Sequence, residues 1–358
     1  AADDNTAVGY EALKVVTGSD NTAVGSYAGV SLTSGEDNTL MGINSGDALT
    51  DGSYNVAMGF HALSASQSGS SNVAIGWQAM YGSNSTDANG TVAIGARSLE
   101  SLSSGQQNTA IGYQSGFDAT TTDYSTLVGY QAGANLTTGL SNTFLGRKAG
   151  YGNDSTALTG RDNVAIGNTA LGVVTTGSWN TAVGGASLGA VIGGTYNTAI
   201  GYLSGDTITT GTNNVLVGMH AEASANDVTY EIVIGSGVDY SNAFAGGGTD
   251  TVRIGRAAEY MTGDLTSNTW AHGSDVRIKK DIKDSELGLS FINDLRPVTY
   301  KKKAPSEYPK EFDGYNANET ERKHPDKKHY GFIAQEVKKA MDNAGHSEFT
   351  VWSENKDG

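Results

Sequence analysis

The chain has 358 residues and no cysteine, which excludes disulfide bonds and thiolate metal sites. It has only four prolines, and the first of them is Pro297. Proline removes a backbone donor from a β-ladder, so its absence before residue 297 permits long, uninterrupted strand pairing. No run approaches the roughly 20 apolar residues of a membrane span, and no stretch has the pattern of a signal peptide. The sequence therefore predicts no membrane insertion.

Positive charge is scarce in the first part of the chain. Residues 1–273 contain 7 Lys and Arg against 22 Asp and Glu, whereas residues 274–358 contain 16 of each. The first part also holds 44 of the 49 glycines. This acidity excludes nucleic acid as a partner of the first part, and the change in composition predicts a boundary near residue 273.

One five-residue phrase recurs fifteen times, and Asn21-Thr22-Ala23-Val24-Gly25 is its plainest copy. Ten of the fourteen gaps between the closing glycines are 17 residues, and the others are 16, 19, 20 and 21. A period this short has room for one clear strand and for no helix, which is typical of a parallel β-solenoid. The closing glycines are Gly9, Gly25, Gly42, Gly59, Gly76, Gly95, Gly112, Gly129, Gly146, Gly167, Gly184, Gly201, Gly218, Gly235 and Gly255.

Each phrase contains a three-residue strand whose first residue is β-branched and whose third is a large aliphatic residue. These two positions share a face of the strand, so the sequence predicts that they form the solenoid core. The middle residue is alanine in nine copies, as at Ala23. A strand apolar on both faces is covered on both sides, so we expect the alanine face to pack against other chains, most simply around a three-fold axis. After each glycine we expect a tight bend, a short second strand and a polar turn.

Two polar rows precede the strands. Asparagine opens eleven of the phrases, and we expect it to form an amide ladder between coils. Asp4, Asp20 and Asp37 stand just before it in three successive coils. They are the candidate calcium ligands, although aspartate is also an ordinary turn residue, and no cofactor or other metal is predicted.

The residue after the glycine is aromatic in six coils, which makes these residues candidates for glycan binding or for covering backbone. His61 and His220 stand alone in the pattern, and no catalytic set of residues recurs in the repeats. The aromatic positions are Tyr10, Phe60, Trp77, Tyr113, Tyr130 and Tyr202.

The repeats resemble the left-handed parallel β-roll of YadA-like trimeric adhesin heads. Residues 72–76 (Asn-Val-Ala-Ile-Gly) and 163–167 (the same five residues) come closest, and the resemblance covers about residues 5–255. It implies a left-handed, homotrimeric shaft with an adhesive or structural role.

Three blocks follow the repeats, at residues 274–282, 295–300 and 330–337. In this order they resemble the C-terminal intramolecular chaperone of endosialidases and other phage tail proteins, a family of self-cleaving serine-lysine peptidases. The resemblance implies that Ser274 is the nucleophile, that Lys279 is its base, and that the cut falls between Gly273 and Ser274. Asp275 and Arg277 match the same motif and are expected to orient it.

We thus expect a mainly β shaft over residues 1–260, a linker over 261–273, and a small α+β chaperone domain over 274–358. Within this domain the patterns predict a helix over 285–295, a strand over 297–302 and a helix over 334–344. The family's long terminal helix is not present before Gly358, and the start at Ala1 within the pattern is typical of a fragment or a processed product.

The combination predicts the shaft of a homotrimeric tail fibre or tailspike on a virion, which attaches to a host surface receptor such as a glycan and joins other tail proteins. The alternative is a trimeric adhesin head on a bacterial surface, matured by the same domain. The only enzymatic activity expected is self-cleavage.

Overall fold

The computed structural model describes residues 3–82, 88–153, 155–237, 243–256, 259–266, 270–271, 289–301, 303–308, 310, 317–318, 320 and 328–345. It is mainly β, and a parallel β-solenoid makes up the larger of two units. The strands of the solenoid and its end are β1 (Thr6–Val8), β2 (Thr22–Val24), β3 (Thr39–Met41), β4 (Val56–Met58), β5 (Val73–Ile75), β6 (Val92–Ile94), β7 (Thr109–Ile111), β8 (Thr126–Val128), β9 (Thr143–Leu145), β10 (Val164–Ile166), β11 (Thr181–Val183), β12 (Thr198–Ile200), β13 (Val215–Val217), β14 (Ala221–Glu222), β15 (Ile232–Ser236), β16 (Phe244–Ala245), β17 (Thr251–Arg256), β18 (Glu259–Asp264) and β19 (Trp270–Ala271).

The repeated phrases stack in register, as the sequence predicts. Each phrase's strand pairs in parallel with the next, so that Thr22 lies beside Thr39 and Ala23 beside Leu40. The same pairing continues from β1 to β13 and through β15 to β17. We number the coils by these fifteen strands, so that coil 12 begins with β12 and coil 13 with β13.

Glycine closes each strand because the coils approach too closely there for a side chain. Gly25 has a φ of 145°, and a Cβ on it would lie 2.3 Å from the carbonyl oxygen of Gly42. A backbone atom cannot move away cheaply in a stacked coil, so any other residue would break the ladder. This explains the constancy of the glycine along the array.

The two faces of each strand are the reverse of those that the sequence predicts. The middle residue is buried in the core, and Ala23, Leu40 and Phe144 are each 0% exposed. The third residue instead faces outward, and Met41 is 42% and Ile200 44% exposed. The coil is narrow, so only the middle residue points at the opposite wall, where leucines from the turn segments fill the remaining space. Those leucines include Leu13, Leu32, Leu49, Leu63, Leu99, Leu171 and Leu188.

Core volume is shared between the middle strand residue and the fourth residue after the glycine. Coil 9 has Phe144 at the first position and Gly150 at the second, where a Cβ would lie 2.4 Å from the Phe144 ring. Coil 10 has Ala165 and Leu171 at the same two positions, and both are fully buried. The predicted second strand is a series of turns in most coils, and its role is to direct these side chains inward.

The end of the solenoid is covered by antiparallel strands. β17 pairs with β18 along its whole length, and β18 pairs with β19. The segment 261–273, predicted to be a linker, therefore includes most of β18 and all of β19. An antiparallel strand added to the last coil occupies the open edge that a stack of parallel strands would otherwise present.

The second unit extends from Asp275 to Gly358 by the pattern of internal contacts. Its described elements are helix α1 (Leu289–Asp294), strand β20 (Val298–Tyr300), a 3-10 turn (Pro305–Glu307), strand β21 (His329–Gly331) and helix α2 (Ala334–Asn343). β20 and β21 form an antiparallel pair. The two helices and the strand β20 lie where the sequence predicts them, with shorter bounds for α1.

Neither of the helices in the described part of the chain has the length and apolar character needed to cross a membrane.

Candidate functional site

The outward residues of the stacked strands form a continuous apolar surface on the shaft, which we call the outer strand face. It consists of the first and third residues of each strand, such as Thr198 and Ile200 in coil 12. The third residue is always large and aliphatic; seven of these residues are exposed and eight are half-buried. Single exposed residues of this kind are unremarkable, but a continuous row on one face is not. The row is Val8, Val24, Met41, Met58, Ile75, Ile94, Ile111, Val128, Leu145, Ile166, Val183, Ile200, Val217, Ile234 and Ile254.

The predicted amide ladder is present inside the shaft and is confirmed as a structural feature. Asn163 is fully buried, and its side-chain amide donates to Asn142 Oδ1 at 3.2 Å and to the Gly177 carbonyl at 2.9 Å. Its own Oδ1 accepts from the Asn180 backbone and side chain at 3.0 and 3.1 Å. The asparagines therefore satisfy buried backbone groups and offer nothing to a ligand.

The ladder ends at a buried carboxylate. Glu231 occupies the asparagine position of coil 14, is 0% exposed, and donates its backbone N–H to Asn214 Oδ1 at 2.9 Å. Its carboxylate accepts from the backbone N–H groups of Ser224 at 2.8 Å and Gly248 at 2.6 Å. Glu231 thus fastens the last turns onto the amide ladder.

The candidate calcium ligands occupy a turn position with a backbone role. Asp4, Asp20 and Asp37 have φ values of 56°, 63° and 58°, a region in which aspartate is among the better-tolerated residues. One coil separates each from the next, so the first and third are about 10 Å apart. Within the described ranges, they do not belong to a group whose ligand atoms converge on one point.

The predicted aromatic residues are exposed, but several of their rings contact neighbouring side chains along the shaft. Tyr113 stacks on Tyr130 with ring centroids 5.5 Å apart, Tyr10 meets Tyr27 edge to face at 5.3 Å, and Arg97 lies over the Trp77 ring at 6.0 Å. A sugar ring stacks on an open aromatic face, and Tyr113 and Tyr130 use their faces on each other. The six residues also include Phe60 and Tyr202, and both glycan binding and the covering of backbone stay predictions for them.

A second aromatic row, which the sequence analysis does not predict, lies just before the asparagine position. Trp179 and Tyr196 stack with centroids 4.9 Å apart and planes 2° apart, and Arg161 lies over Trp179 at 5.0 Å. Both aromatic residues have φ values near 57°. The signal in the sequence is a fixed offset of one residue before the position that asparagine usually holds. Tyr54 shares it before Asn55, Tyr124 before Ser125 and Tyr230 before Glu231.

The longest repeat builds a polar groove on the shaft. Four extra residues in coil 9 place Asn153 and Thr156 beside Ser101, Asp118 and Asn135 of the preceding coils, around a cavity of about 400 Å³. Burial, followed by the negative charge of Glu100, raises the pKa of the Asp118 carboxyl. Hydroxyl, amide and carboxyl groups around one open cavity can exchange hydrogen bonds with a polyhydroxylated ligand.

The two histidines that stand alone in the sequence do not stand alone in the structure. His61 Nδ1 lies 2.9 Å from Ser64 Oγ, which donates to Asp47 Oδ1 at 2.5 Å. The serine joins histidine to aspartate here, so this is not the order of a catalytic triad, in which histidine lies between the other two.

His220 joins a second cluster with Asp206 and Glu222. His220 Nε2 lies 4.0 Å from Glu222 Oε1, and one ligand atom from each of the three residues lies within 4.8 Å of the others. Burial and then a hydrogen bond with the Asp206 carboxyl raise the pKa of Glu222 to about 8. The three residues come from two coils, so spacing within one repeat gives no sign of the cluster.

The predicted autocleavage residues, Gly273, Ser274, Asp275, Arg277 and Lys279, all lie outside the described residues. The other two predicted blocks are described, and the structure joins them. Arg296 Nε donates to Glu336 Oε2 at 3.1 Å, and a second guanidinium nitrogen donates to Oε1 at 2.5 Å. This bidentate ion pair raises the pKa of Arg296 and lowers the pKa of Glu336.

The fold defines a parallel β-solenoid followed by a separate C-terminal unit. Residues 274–346 match the family model described as chaperone of endosialidase, which covers about a fifth of the chain. No curated protein and no solved structure shows significant similarity to the chain. The C-terminal unit is thus similar to an intramolecular chaperone of a peptidase family.

Proposed function

We propose that the chain forms the shaft of a homotrimeric phage tail fibre or tailspike that attaches the virion to its host. The C-terminal unit directs trimer folding and is then removed by cleavage between Gly273 and Ser274. The observation that carries this proposal is the outer strand face, which is followed in the same chain by a unit similar to an intramolecular chaperone.

The outer strand face supports assembly with copies of the same chain. Its fifteen aliphatic residues repeat at the spacing of the coils, so only a surface with the same repeat can cover each of them in turn. A second and third copy of this chain supply such a surface. Burying one Val, Leu or Ile side chain fully stabilises by about 1.5–3 kcal/mol, so even partial burial of the whole row holds the chains together strongly.

Three such chains need help to find the right alignment. Neighbouring coils are nearly identical, so a slip of one coil between chains buries almost the same surface and traps a wrong register. Non-local strand pairing is also slow to form. A unit that gathers three chains at one end fixes the register. Once this unit is removed, an unfolded shaft cannot refold by the same route, so slow unfolding rather than equilibrium keeps the trimer together, and the trimer is kinetically stable.

The cleavage step follows from the resemblance of residues 274–282 to the family. The Ser274 hydroxyl attacks the Gly273 carbonyl while the Lys279 amine accepts the hydroxyl proton. The peptide bond breaks as the ester to Ser274 Oγ forms, and the Ser274 nitrogen takes the proton back from the Lys279 ammonium and becomes the new amino terminus. Water then hydrolyses the ester, which restores the hydroxyl and leaves a shaft that ends at Gly273.

Denaturing mass analysis of the folded chain tests this proposal. We expect wild type to yield two pieces that join at Gly273 and Ser274, and Ser274→Ala and Lys279→Ala each to yield one. Lys280→Ala, which removes the adjacent lysine, is the matched control and retains cleavage. An intact wild-type chain, or equal cleavage in all variants, contradicts the peptidase assignment.

The polar groove offers a place for a host glycan. Asp118 and Asn135 lie in it with several hydroxyl groups, and the longest repeat builds it on one side of the shaft. We expect Asp118→Ala to lower binding in a glycan array by about 10-fold or more, and Asp51→Ala, which removes an exposed carboxylate elsewhere on the shaft, to leave it unchanged.

The alternative is a trimeric adhesin head of a bacterial surface, matured by the same unit. The YadA-like form of the strand phrase favours it. A membrane anchor in the gene beyond this chain would identify an adhesin, whereas sequence that joins the chain to a virion would identify a fibre.

A further inference from the structure

Near the end of the shaft, a charged residue occupies a position whose side chains point into the core in other coils. Glu222 is the fourth residue after its closing glycine, a position that holds leucine, methionine or glycine in the twelve preceding coils. Its coil has Leu216 in the middle of the strand. In the other coils with leucine or phenylalanine there, the fourth residue after the closing glycine is a glycine. Here the position holds Glu222 instead. Glu222 lies in the short strand β14 rather than in a turn, and it is 2% exposed.

Two further polar side chains converge on this carboxylate. Asp206 comes from coil 12; one of its carboxyl oxygens lies within 4.8 Å of a Glu222 carboxyl oxygen, and its backbone N–H donates to Glu222 Oε1 at 3.4 Å. His220 comes from coil 13, its side chain is 13% exposed, and its Nε2 lies 4.0 Å from Glu222 Oε1. Ligand atoms of all three lie within 4.8 Å of one another.

The carboxylate of Glu222 is also held in place. Thr207 donates to Glu222 Oε2 from its hydroxyl at 2.8 Å and from its backbone N–H at 3.2 Å. A buried carboxylate that neighbouring donors hold beside a second carboxyl group and an imidazole presents three ligand atoms at one place. Donors of this kind, which orient a carboxylate from behind, are typical of the residues that support metal ligands.

We propose that Asp206, His220 and Glu222 bind one divalent transition-metal ion of the zinc class. One imidazole nitrogen and two carboxylate oxygens are ligands that zinc accepts. Ligands at 2.0–2.1 Å from zinc stand about 3.3 Å apart in a tetrahedron, so the observed spacing requires small side-chain rotations. Three protein ligands would leave a fourth position for water.

The ion would join two consecutive coils close to the end of the parallel stack. Asp206 and the pair of His220 and Glu222 lie on opposite sides of a coil boundary, so the ion ties coil 12 to coil 13. Binding to the folded shaft alone stabilises it by mass action. This inference does not depend on the proposed function.

Calorimetric titration with zinc ion tests the proposal on the chain without a histidine tag at neutral pH. We expect one ion per chain in wild type, and an affinity lowered by more than about 100-fold in His220→Ala, beyond the 10- to 100-fold that loss of a supporting contact costs. His61→Ala is the matched control, because His61 occupies the same repeat position beside only one carboxylate, and we expect it to bind as wild type does.

Cobalt substitution gives a second measurement that does not depend on stability. We expect a visible absorption spectrum of tetrahedral cobalt in wild type and in His61→Ala, and its loss in His220→Ala and Glu222→Gln. If zinc fails to bind, if it binds equally to wild type and His220→Ala, or if the cluster only takes up a proton on acidification, the proposal is wrong.

Discussion

Asn163 shows why one residue type opens nearly every coil. Its amide donates twice and its oxygen accepts twice, in contact with the coils before and after it. Aspartate lacks the donors, and serine or threonine is too short to make all four bonds. The sequence predicts this ladder correctly because a row of identical amides at a fixed period has few other uses.

Removal of one ladder amide leaves buried groups without partners. We expect Asn163→Ala to lower the free energy of unfolding by about 3 kcal/mol or more, since each unsatisfied buried group costs about 1–3 kcal/mol. Asn5→Ala is the control, because Asn5 lies at the half-buried start of the ladder and should cost less. Denaturant unfolding followed by circular dichroism measures both, and equal losses would contradict the ladder's role.

The ion pair of the C-terminal unit predicts a dependence on pH. Arg296 lowers the pKa of Glu336 in the folded state, so its stabilisation is fully present above the unfolded value of about 4.5 and is lost as the pH falls through the lowered value. We expect Glu336→Gln to melt earlier than wild type at neutral pH, by a small margin because the pair is exposed, and to match it once the pH lies below the lowered pKa of Glu336.

Asp342→Asn separates this effect from a general loss of charge. Asp342 lies on the same helix and pairs with Lys338 only four residues away, so it does not join distant blocks. A melting profile for Asp342→Asn that follows Glu336→Gln at each pH would show that the link from Arg296 to Glu336 has no special role.

At the scale of the element, the sequence predicts the strands correctly but reverses which of their two faces is buried. A three-residue strand points its first and third residues to one face and its middle residue to the other. The rule that large residues are buried predicts that the first and third residues lie in the core. The structure shows that the coil is too narrow for this and that turn leucines such as Leu171 fill the inside. Large apolar residues can lie outside when another surface covers them, which periodicity in one chain does not reveal.

The shared core volume predicts a rescue between two positions of one coil. We expect Phe144→Ala to cost about 3–5 kcal/mol by leaving a cavity, and Gly150→Leu to cost about 2 kcal/mol or more by overlap with the ring. The double variant recreates the Ala165 and Leu171 pair of the next coil, where Leu171 has the same left-handed backbone, with a φ of 49°.

The double variant should therefore recover a coupling free energy of about 2 kcal/mol or more in a cycle of unfolding measurements. A control cycle combines Phe144→Ala with Gly29→Leu, which lies seven coils away beside Leu40 and Leu13, and should show simple addition. Strictly additive losses for Phe144 and Gly150 would contradict the volume relation.

At the scale of the whole molecule, the sequence identifies two kinds of unit but only part of the candidate sites. The serine and lysine of the cleavage motif are proposed from the resemblance of residues 274–282 to the chaperone family, and they lie outside the described residues. The cluster of Asp206, His220 and Glu222 depends on which coils are neighbours, and only the unusual glutamate among Leu, Met and Gly marks it in the sequence. The polar groove likewise required the position of the inserted residues.

The outer strand face predicts the effect of charge on assembly. We expect the double variant Ile166→Lys and Ile200→Lys to lose stable association, because two lysines per chain would be buried without partners. Val15→Lys, which changes an exposed apolar residue outside the strands, should assemble as wild type does. Size-exclusion chromatography with light scattering measures both, and an unchanged assembly in the double variant would mean that another surface holds the chains.

The most direct test of the account is the mass of the folded wild-type chain in solution, measured by sedimentation equilibrium. The account predicts three chains per particle, either three times the 37.0 kDa chain or three cleaved shafts. A single folded chain whose outer strand face stays exposed to water at micromolar concentration would contradict it.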